Sequence, residues 1–371
     1  MSSERKGKKR KSKDQKRRIA VIVFSLLIIV GVAVYYLFFT GEEPIKKIKN
    51  VIPIEKKKLT IVDEDSNKRP IAVMYDNNVG NNNHAGLQKS YITYEIIVEG
   101  GLTRIMALFK DQDVNLIGPV RSSRHYFLDY ALESDAIYTH FGWSTYAEND
   151  IKSLGVNNIN GLYDSIPFWR EKTIAAPHNV FTTTDKVYSY AKEKKYNTET
   201  DNWKLLNYTT DKVNLDKPVS TKTVVNEETG KKEKVEEKDP NLLTANSISM
   251  SYSTYQVRSY DYNSENGYYL RSMNGTAHID KESKQQLHYK NIIIERVSNS
   301  QLDSYGRQDL STTGSGEGYY ITNGYALPIK WTKSSRSDKT KYTYLNGKEV
   351  KVNDGNTFIQ IVPVNSTITI E

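Results

Sequence analysis

The chain has 371 residues, with 52 lysines and arginines against 44 acidic residues and no cysteine. The absence of cysteine excludes disulfides, thiol nucleophiles, thiolate metal sites and a lipid on a cysteine sulfur. Ten of the bases and only two of the acids lie in a tail at 1–18, so the rest of the chain is balanced in charge. The excess positive charge therefore does not indicate a nucleic-acid-binding surface.

An uncharged apolar run of 21 residues occupies 19–39. About 20 residues of α-helix cross the apolar core of a bilayer, and no small-residue cleavage site follows the run. The sequence therefore predicts one transmembrane helix. The positive-inside rule places the tail at 1–18 in the cytoplasm and the remaining residues outside the cell. The charged segment at 40–68 is predicted to be a stalk, and a cysteine-free exported chain is typical of a Gram-positive envelope.

Short apolar runs and turn residues alternate between 69 and 206. Four of the runs predict strands, at Pro70–Tyr75, Tyr91–Val98, Arg104–Lys110 and Ala136–Phe141. Apolar residues at helical spacing predict a helix from Ser122 to Ser134. We therefore expect an N-terminal domain of mixed α/β type.

The segment at 207–244 is dominated by charged residues and holds too few large apolar side chains to form a core. It is predicted to be a disordered linker, with an exposed hairpin turning at Thr229–Gly230 as the alternative. Beyond it, 245–371 carries short alternating segments and repeated Asn-Gly turns, which predict a mostly antiparallel β domain. The predicted fold class is α+β: a mixed α/β domain, then a β-rich domain, behind one transmembrane helix.

A dense group of charged residues in the N-terminal domain predicts an anion site. Gly118 and Pro119 precede the predicted helix, whose free N–H groups and dipole would favour an anion, and arginines add bidentate donors. The predicted ligand-binding residues, for a carboxylate, a phosphate or a partner, are Arg104, Arg121, Ser122, Arg124 and Asp76. In the alternative interpretation, the arginines pair inside the fold with Glu95, Glu99 or Asp129.

Three residues are candidates for catalysis. Glu95 and Glu99 would share one side of a strand that continued through both, as the paired carboxylates of a glycosidase require, although surface salt bridges are the favoured explanation for them. His140 ends a predicted strand and could activate a serine, with Asp76 or Asp135 orienting it. The G-x-S-x-G motif of serine hydrolases is absent from the chain.

The sequence predicts no metal and no cofactor. No two of the six histidines stand at metal-ligand spacing, and a site built from Asp76, His84, His140 and His178 would need distant residues to meet. The glycine-rich run at Gly314–Gly318 lacks the lysine and the following helix of a phosphate-binding loop, so it predicts a turn.

Several motifs together resemble those of the YerB-like lipoproteins. They are Arg69–Met74, Tyr94–Glu95, Glu99–Arg104, Gly118–Arg124, Gly314–Tyr320 and Phe358–Pro363. The resemblance covers 69–371 and implies a two-domain bacterial cell-surface protein of a family whose function is unknown. Many members of that family look like lipoproteins with an N-terminal cysteine, whereas this chain has the apolar run at 19–39.

These observations predict a membrane-anchored, extracellular binding or regulatory protein of the bacterial cell envelope. Its expected partners are the membrane, through the N-terminal helix, and a cell-wall polymer or an envelope protein, with no nucleic acid. The alternative is a cell-wall hydrolase that acts on glycan or peptide. The sequence favours a binding protein but does not decide whether the chain has an enzymatic activity.

Overall fold

The computed structural model describes most of the chain. The chain divides into two units, Met1–Lys57 and Lys58–Glu371. The described residues are 23–25, 27–28, 30–32, 34–35, 57–78, 83–228 and 230–371. Between residues 23 and 35 of the first unit the described residues are helical and exposed, whereas Lys57 has no regular secondary structure. The predicted tail at 1–18 and the stalk residues 40–56 lie outside the described residues.

The prediction of a transmembrane helix at 19–39 needs correction. In the part of the chain that the structure describes, no helix combines the length and the apolar character that a membrane crossing requires. Residues 19–22 and 36–39 lie outside the described residues. The single-pass topology with a cytoplasmic N-terminus rested on this helix and is not supported.

The second unit contains three α-helices and 25 short strands among its described residues. The helices are α1 (Phe127–Glu133), α2 (Thr145–Ser153) and α3 (Thr184–Glu193), and single 3₁₀ turns cover Leu87–Lys89 and Glu99–Gly101. The first strands are β1 (Ile71–Asp76), β2 (Ile92–Ile97), β3 (Thr103–Phe109), β4 (Ile137–His140), β5 (Asn158–Asn160), β6 (Trp169–Arg170), β7 (Val180–Phe181) and β8 (Tyr208–Thr209). The remaining strands are β9 (Ser220–Val225), β10 (Lys232–Glu237), β11 (Leu243–Thr244), β12 (Ser247–Ser253), β13 (Gln256–Asn263), β14 (Tyr268–Met273), β15 (Thr276–Ala277), β16 (His288–Tyr289), β17 (Asn291–Val297), β18 (Asn299–Gln301), β19 (Gln308–Leu310), β20 (Gly314–Thr322), β21 (Tyr325–Lys333), β22 (Lys341–Tyr344), β23 (Val352–Asn353), β24 (Thr357–Pro363) and β25 (Ile368–Ile370).

The main sheet has eleven strands among the described residues, in the order β11–β21–β20–β17–β24–β2–β3–β1–β4–β5, with β22 paired to β21. Strand β24 lies between β17 and β2 and runs parallel to both. Strands β1, β2 and β3 are buried along their whole length, as expected for strands covered on both faces. The predicted segments 69–206 and 245–371 thus contribute to one continuous sheet, and the division between them stays a prediction.

The two faces of the main sheet carry different layers, because successive side chains of a strand point to opposite faces. Tyr94 packs against Tyr130 of α1, with ring centroids 5.0 Å apart. The neighbouring Glu95 contacts Arg258 of β13, with 2.6 Å between Oε1 and Nε. Helix α1 therefore covers one face. A second sheet, in the order β15–β14–β13–β12–β25 with β16 on β14, covers the other.

The predicted α+β class is wrong for the chain as a whole, because the fold is mostly β. Among the described residues of the second unit, α-helix is confined to 127–193. Elsewhere tight turns return the chain directly into strands. Asn323 and Gly324 have φ values of 51° and 81°, as a two-residue type I′ hairpin requires, and they join β20 to β21. The Asn-Gly turn signal was therefore a correct indicator of this hairpin.

The charged segment forms the hairpin alternative instead of a disordered linker. Strands β9 and β10 pair antiparallel, with Val225 opposite Lys232 and Ser220 opposite Glu237. Threonine and valine are frequent in β9, and these β-branched residues favour an extended backbone. The prediction of disorder is therefore wrong for these two strands.

The helix predicted from Ser122 begins later, at Phe127. The N–H of Arg121 donates to the carbonyl of Met74 at 2.9 Å, and the N–H of Ser123 donates to Gly142 at 2.9 Å. These N–H groups are therefore used in sheet-like pairing. The predicted anion site at a helix start is wrong in its backbone geometry, because the arginines precede the helix in an extended segment.

Candidate functional site

Three parallel strands end side by side at one edge of the main sheet. Strand β4 is parallel to β1 and to β5, and the three strands end at Asp76, His140 and Asn160. We call these residues and the segments that follow them the carboxyl edge. Ligands of α/β sheets commonly bind outside the carboxyl ends of parallel strands, because the loops there converge.

The segment that carries Arg121 and Arg124 crosses this edge. Val120 forms a bridge to Tyr75 of β1. The N–H of Phe141, just after β4, donates to the carbonyl of Arg121 at 3.0 Å. Main-chain hydrogen bonds therefore hold the segment between β1 and the loop after β4, so its two arginines lie beside the end of β1.

Three arginines, Arg104, Arg121 and Arg124, form what we call the arginine cluster. Arg104 lies on β3, and its Nη1 donates to the carbonyl of Ser122 at 2.6 Å. The pKa of Arg104 is lowered to about 10, first by burial and then by the charges of Arg124 and Arg121, against the opposing effect of Glu99. The charges of Arg121 and Arg124 therefore add to the effect of burial and disfavour the ionised form of Arg104.

Glu99 pairs with one member of the cluster. Both Nε and Nη2 of Arg124 donate to the carboxylate of Glu99, with 2.8 Å between Nη2 and Oε2. Burial alone would raise the pKa of Glu99, but the hydrogen bond and the charge of Arg124 outweigh it and hold the pKa below its usual value. This bidentate pair matches the alternative interpretation of internal pairing for Arg124.

Asp76 joins a second member of the cluster to a histidine. Its Oδ2 lies 3.2 Å from Nε of Arg121 and 2.6 Å from Nδ1 of His178. Its Oδ1 accepts the N–H of Asn78 at 2.9 Å. Asp76 is buried, whereas the side chain of Arg121 is 26% exposed. The carboxylate thus fixes Arg121 at the surface, where its guanidinium can reach a ligand.

His178 belongs to this site, although the sequence indicated it, with Asp76, only as part of a metal site that would need distant residues to meet. It lies 102 residues from Asp76 in the chain, in the loop before β7. No local spacing indicates the contact. Ser122, in contrast, was predicted and contributes its backbone carbonyl to Arg104, while its hydroxyl donates to the carbonyl of Phe141 at 3.0 Å.

Glu95 points away from the arginine cluster. Arg104 pairs in register with both Asp76 and Ile96, so the side chain of Glu95 lies on the opposite face of the sheet. There it is fully buried and contacts Arg258 and Arg271, each at 2.6 Å. Burial opposes ionisation, but the charges of these two arginines lower the pKa of Glu95 to about 2. Glu95 is therefore an ionised, fully paired member of the core.

A chain of hydrogen bonds extends from this pair through two histidines. Nη1 of Arg271 must donate to Nδ1 of His278, which leaves the proton of the neutral ring on Nε2. That N–H donates to Nδ1 of His84 at 2.8 Å, and Nε2 of His84 donates to the carbonyl of Asp76 at 2.6 Å. Burial lowers the pKa of both histidines, for His84 to about 4. Both rings are therefore neutral, with one tautomer defined by their partners.

His140 is also buried inside the fold. Its Nδ1 contacts the carbonyl of Gly142 at 2.8 Å, and its Nε2 contacts Oδ1 of Asn158 at 3.2 Å. Burial lowers the pKa of this histidine to about 4. The neighbouring Ser144 caps α2 by accepting the N–H of Ala147 at 3.2 Å, so it is used in helix capping.

The structure brings the predicted ligand-binding residues together and keeps the catalytic candidates apart. Arg104, Arg121, Arg124 and Asp76 meet at the carboxyl edge. The three catalytic candidates have separate partners: Glu95 with Arg258 and Arg271, Glu99 with Arg124, and His140 with Gly142 and Asn158. Across the described residues, no group of three or more histidines and acids is placed to hold a metal ion.

A separate cleft of about 450 Å³ lies near the start of α3. Lys68, Lys192, Asp113 and Asp185 are among the residues that line it. The sequence did not indicate this cleft. With Glu199, the charged side chains that line it are three acids and two bases, so the charge of the cleft does not favour an anion.

Comparison with known proteins places the chain in a family. It is similar to "Putative lipoprotein YerB" of Bacillus subtilis (strain 168), with 29% identity over 308 residues, covering 80% of this chain and 82% of that protein. The crystal structure of the YerB protein from Bacillus subtilis superposes with a TM-score of 0.69 at 26% identity, covering 85% of this chain and 100% of that one.

Two family models match the chain. The N-terminal domain of DUF3048, a protein of unknown function, matches residues 59–197, and the C-terminal domain matches residues 247–359. The resemblance to YerB-like proteins that the sequence motifs indicated is confirmed. The chain belongs to the DUF3048 family of proteins of unknown function.

Proposed function

We propose that the protein is a binding protein of the bacterial cell envelope that holds a phosphate or carboxylate group at the arginine cluster. The envelope location follows the name of its relative, "Putative lipoprotein YerB". The observation that carries the binding proposal is the charge balance of the cluster. Arg124 pairs with Glu99 and Arg121 pairs with Asp76, whereas Arg104 donates its hydrogen bond to the neutral carbonyl of Ser122.

An anion at this point would balance the third guanidinium. Buried charges without a counter-charge are unfavourable, and the lowered pKa of Arg104 reflects this. Arg104 is buried, so we expect the anion to contact the exposed side of Arg121, with the charge of Arg104 behind it. Arginine binds phosphate and carboxylate through two parallel hydrogen bonds, which makes either group a suitable ligand.

The geometry favours binding over hydrolysis by the predicted residues. A hydrolase that uses Glu95 and Glu99 needs both carboxyls to face one cleft. Each of these carboxylates instead has its own arginine partners. The pair that would act as acid and base is therefore not assembled in the described residues.

Anion-dependent thermal stability tests the proposal. Phosphate or acetate that binds only the folded protein raises its melting temperature relative to chloride at the same ionic strength. Arg121→Gln removes the exposed guanidinium, and we expect it to weaken binding by about tenfold or more, as the loss of a charge-assisted hydrogen bond predicts. Lys348→Gln removes one exposed positive charge from the turn after β22 and serves as the control. The proposal fails if neither anion stabilises the wild-type protein, or if both variants respond alike.

A further inference from the structure

The loop at 161–168, which follows β5, presents apolar side chains to solvent. Leu162 is 56% exposed, Tyr163 is 72% exposed and Ile166 is 66% exposed. Single exposed apolar residues are common on protein surfaces, but three within five positions form a local apolar tip. We call these three residues the apolar tip.

The loop is held firmly in this exposed conformation. Asp164, between the tip residues, is buried and points inward. Its Oδ2 accepts the N–H of Asn160 at 2.9 Å, and its Oδ1 accepts the hydroxyl of Tyr190 at 2.9 Å and contacts Nζ of Lys194 at 3.1 Å. The tip residues are therefore displayed by an anchored loop, and their exposure is a property of the fold.

The apolar tip adjoins the arginine cluster. Gly142 has a φ of 86°, and a carbon added to it would lie 3.0 Å from Oγ of Ser122 and 3.5 Å from Cδ1 of Leu162. A single methyl group would thus touch both side chains. On the other side, the rings of Tyr163 and Trp143 have centroids 5.6 Å apart. The anion site and the apolar tip are parts of one surface.

The charge around the tip is positive. The charged side chains of the arginine cluster, its acidic partners, the loop, Lys194 that contacts Asp164, and residues 170–172 comprise six bases and four acids: Arg104, Arg121, Arg124, Arg170, Lys172 and Lys194, with Asp76, Glu99, Asp164 and Glu171. A surface with an excess of positive charge beside exposed leucine, isoleucine and tyrosine has the two features of interfacial membrane binding.

We infer that the anion is the phosphate of a membrane lipid head group, and that the apolar tip inserts beside it among the acyl chains. The inference rests on the proposed anion site and names its ligand. Side chains that are more than half exposed project from the surface. They therefore suit a deformable partner, such as a bilayer interface, that can accommodate them. A protein partner would need a preformed groove, and a glycan would leave the aliphatic tips in water.

A fluorophore on a single cysteine tests the insertion locally, because the chain has no cysteine of its own. Tyr163→Cys places the label on the tip. Tyr305→Cys places it on a tyrosine that is equally exposed, at 72%, and lies outside the loop. The full-length protein is labelled with an environment-sensitive dye and mixed with vesicles of phosphatidylglycerol and phosphatidylcholine, or of phosphatidylcholine alone.

We expect the label at 163 to report an apolar environment on the phosphatidylglycerol vesicles, and the label at 305 to stay unchanged. Adding Arg121→Gln to the protein labelled at 163 should raise the lipid concentration required for half of the response by about tenfold. Equal responses at the two labels, or none at 163, would overturn the inference. A response of the label at 163 to soluble polyglycerol phosphate without one to vesicles would assign the surface to a polymer and also overturn it.

Titration with glycerol phosphate separates the two proposals. If free glycerol phosphate stabilises the wild-type protein but vesicles do not change the label at 163, the anion site stands and the lipid inference fails. If neither the free anion nor the vesicles produce a change, both proposals fail.

Discussion

The arginine cluster and the Glu95 network lie on opposite faces of the same strands and use the same kinds of side chain. In the Glu95 network, one carboxylate is enclosed by Arg258 and Arg271, and all three side chains are at most 1% exposed. In the arginine cluster, three guanidiniums share two carboxylates, and Arg121 reaches the surface. The first arrangement is closed and supports the fold, whereas the second is open and can accept a further anion.

The difference teaches that residue type alone does not separate a structural ion pair from a binding site. Burial, the number of counter-charges and access to solvent separate them. The following predictions test this distinction between a closed and an open cluster.

The largest effect is expected from Glu95→Gln. It leaves Arg258 and Arg271 buried beside a neutral side chain, and breaking a buried pair costs about 3–5 kcal/mol, so two pairs should remove about 5 kcal/mol or more from the free energy of unfolding. Urea denaturation measures the change. Glu237→Gln is the control, because its pair with Lys222, 3.9 Å long and exposed, should contribute less than about 0.5 kcal/mol. Similar small losses for both variants would contradict the structural role of Glu95.

Glu295 carries a buried carboxyl group that pairs with no arginine among the described residues. Burial raises its pKa to about 8, and the charge of Glu133 adds to this, against a hydrogen bond from Tyr342. The folded protein therefore keeps a proton that the unfolded chain releases near pH 4.5. The stabilising contribution of the protonated Glu295 to the free energy of unfolding is fully present below pH 4.5 and is lost as the pH rises through about 8.

Glu295→Gln removes this pH dependence. We expect the variant to be more stable than the wild type by about 5 kcal/mol above pH 8, with the advantage shrinking toward pH 4.5. Urea denaturation at several pH values measures it. A constant difference between the variant and the wild type at all pH values would show that Glu295 is ionised in the folded protein.

The contribution of the buried histidines to stability should change with pH in the direction opposite to that of Glu295. His84 and His140 have folded pKa values of about 4, below the usual 6.5, so their stabilising contribution is present above pH 6.5 and is lost as the pH falls toward 4. The loss amounts to about 3 kcal/mol for each histidine. Because Glu295 has the opposite pH slope, the test belongs in the Glu295→Gln background. Ring NMR should show both histidines neutral at pH 5.5, and a midpoint near 6.5 would contradict their burial.

A smaller effect separates two members of the arginine cluster. Arg124→Gln removes a bidentate pair with Glu99 whose side chains are 11% and 15% exposed, so we expect a loss of about 1–3 kcal/mol in the free energy of unfolding. Arg121→Gln should cost less, because Arg121 is more exposed and Asp76 keeps His178 and the N–H of Asn78 as partners. An equal or larger loss for Arg121→Gln would move this arginine from the open site to the scaffold.

Local patterns in the sequence were sufficient for the strands that build the site. The runs at Pro70–Tyr75, Tyr91–Val98 and Arg104–Lys110 correspond to β1, β2 and β3 within one or two residues. Their apolar composition reflects burial on both faces of the sheet. The grouping of Arg104 with Arg121 and Arg124 was also predicted, since the strand and the following segment are close in the chain.

Contacts between distant segments could not be predicted in the same way. Glu95 meets Arg258 and Arg271, which lie 163 and 176 residues away. The pairing of β2 with β24 likewise joins the two ends of the second unit. Neither contact leaves a signal in local spacing. Glu95 was therefore assigned to a surface pair, a catalytic site or an internal pair with the nearby arginines, whereas its partners in the core are Arg258 and Arg271.

The apolar run at 19–39 shows a different limit. Its composition indicated a membrane span, whereas no helix of the described residues meets the length and apolar character of one. The hydropathy of a segment describes its preference for an apolar environment over water. It does not establish that the segment forms a helix long enough to cross a bilayer.

Arg104→Gln tests the central claim most directly, with phosphate binding measured by calorimetry and stability by urea denaturation on the same protein. The variant removes the guanidinium that has no carboxylate of its own among the described contacts, and it should keep a polar group near the carbonyl of Ser122. We predict that phosphate binding weakens by about tenfold while the free energy of unfolding stays within about 1 kcal/mol of the wild-type value, since an unbalanced buried charge has been removed. Retained phosphate binding together with a loss of several kcal/mol would show that Arg104 serves the fold, and would contradict the open anion site.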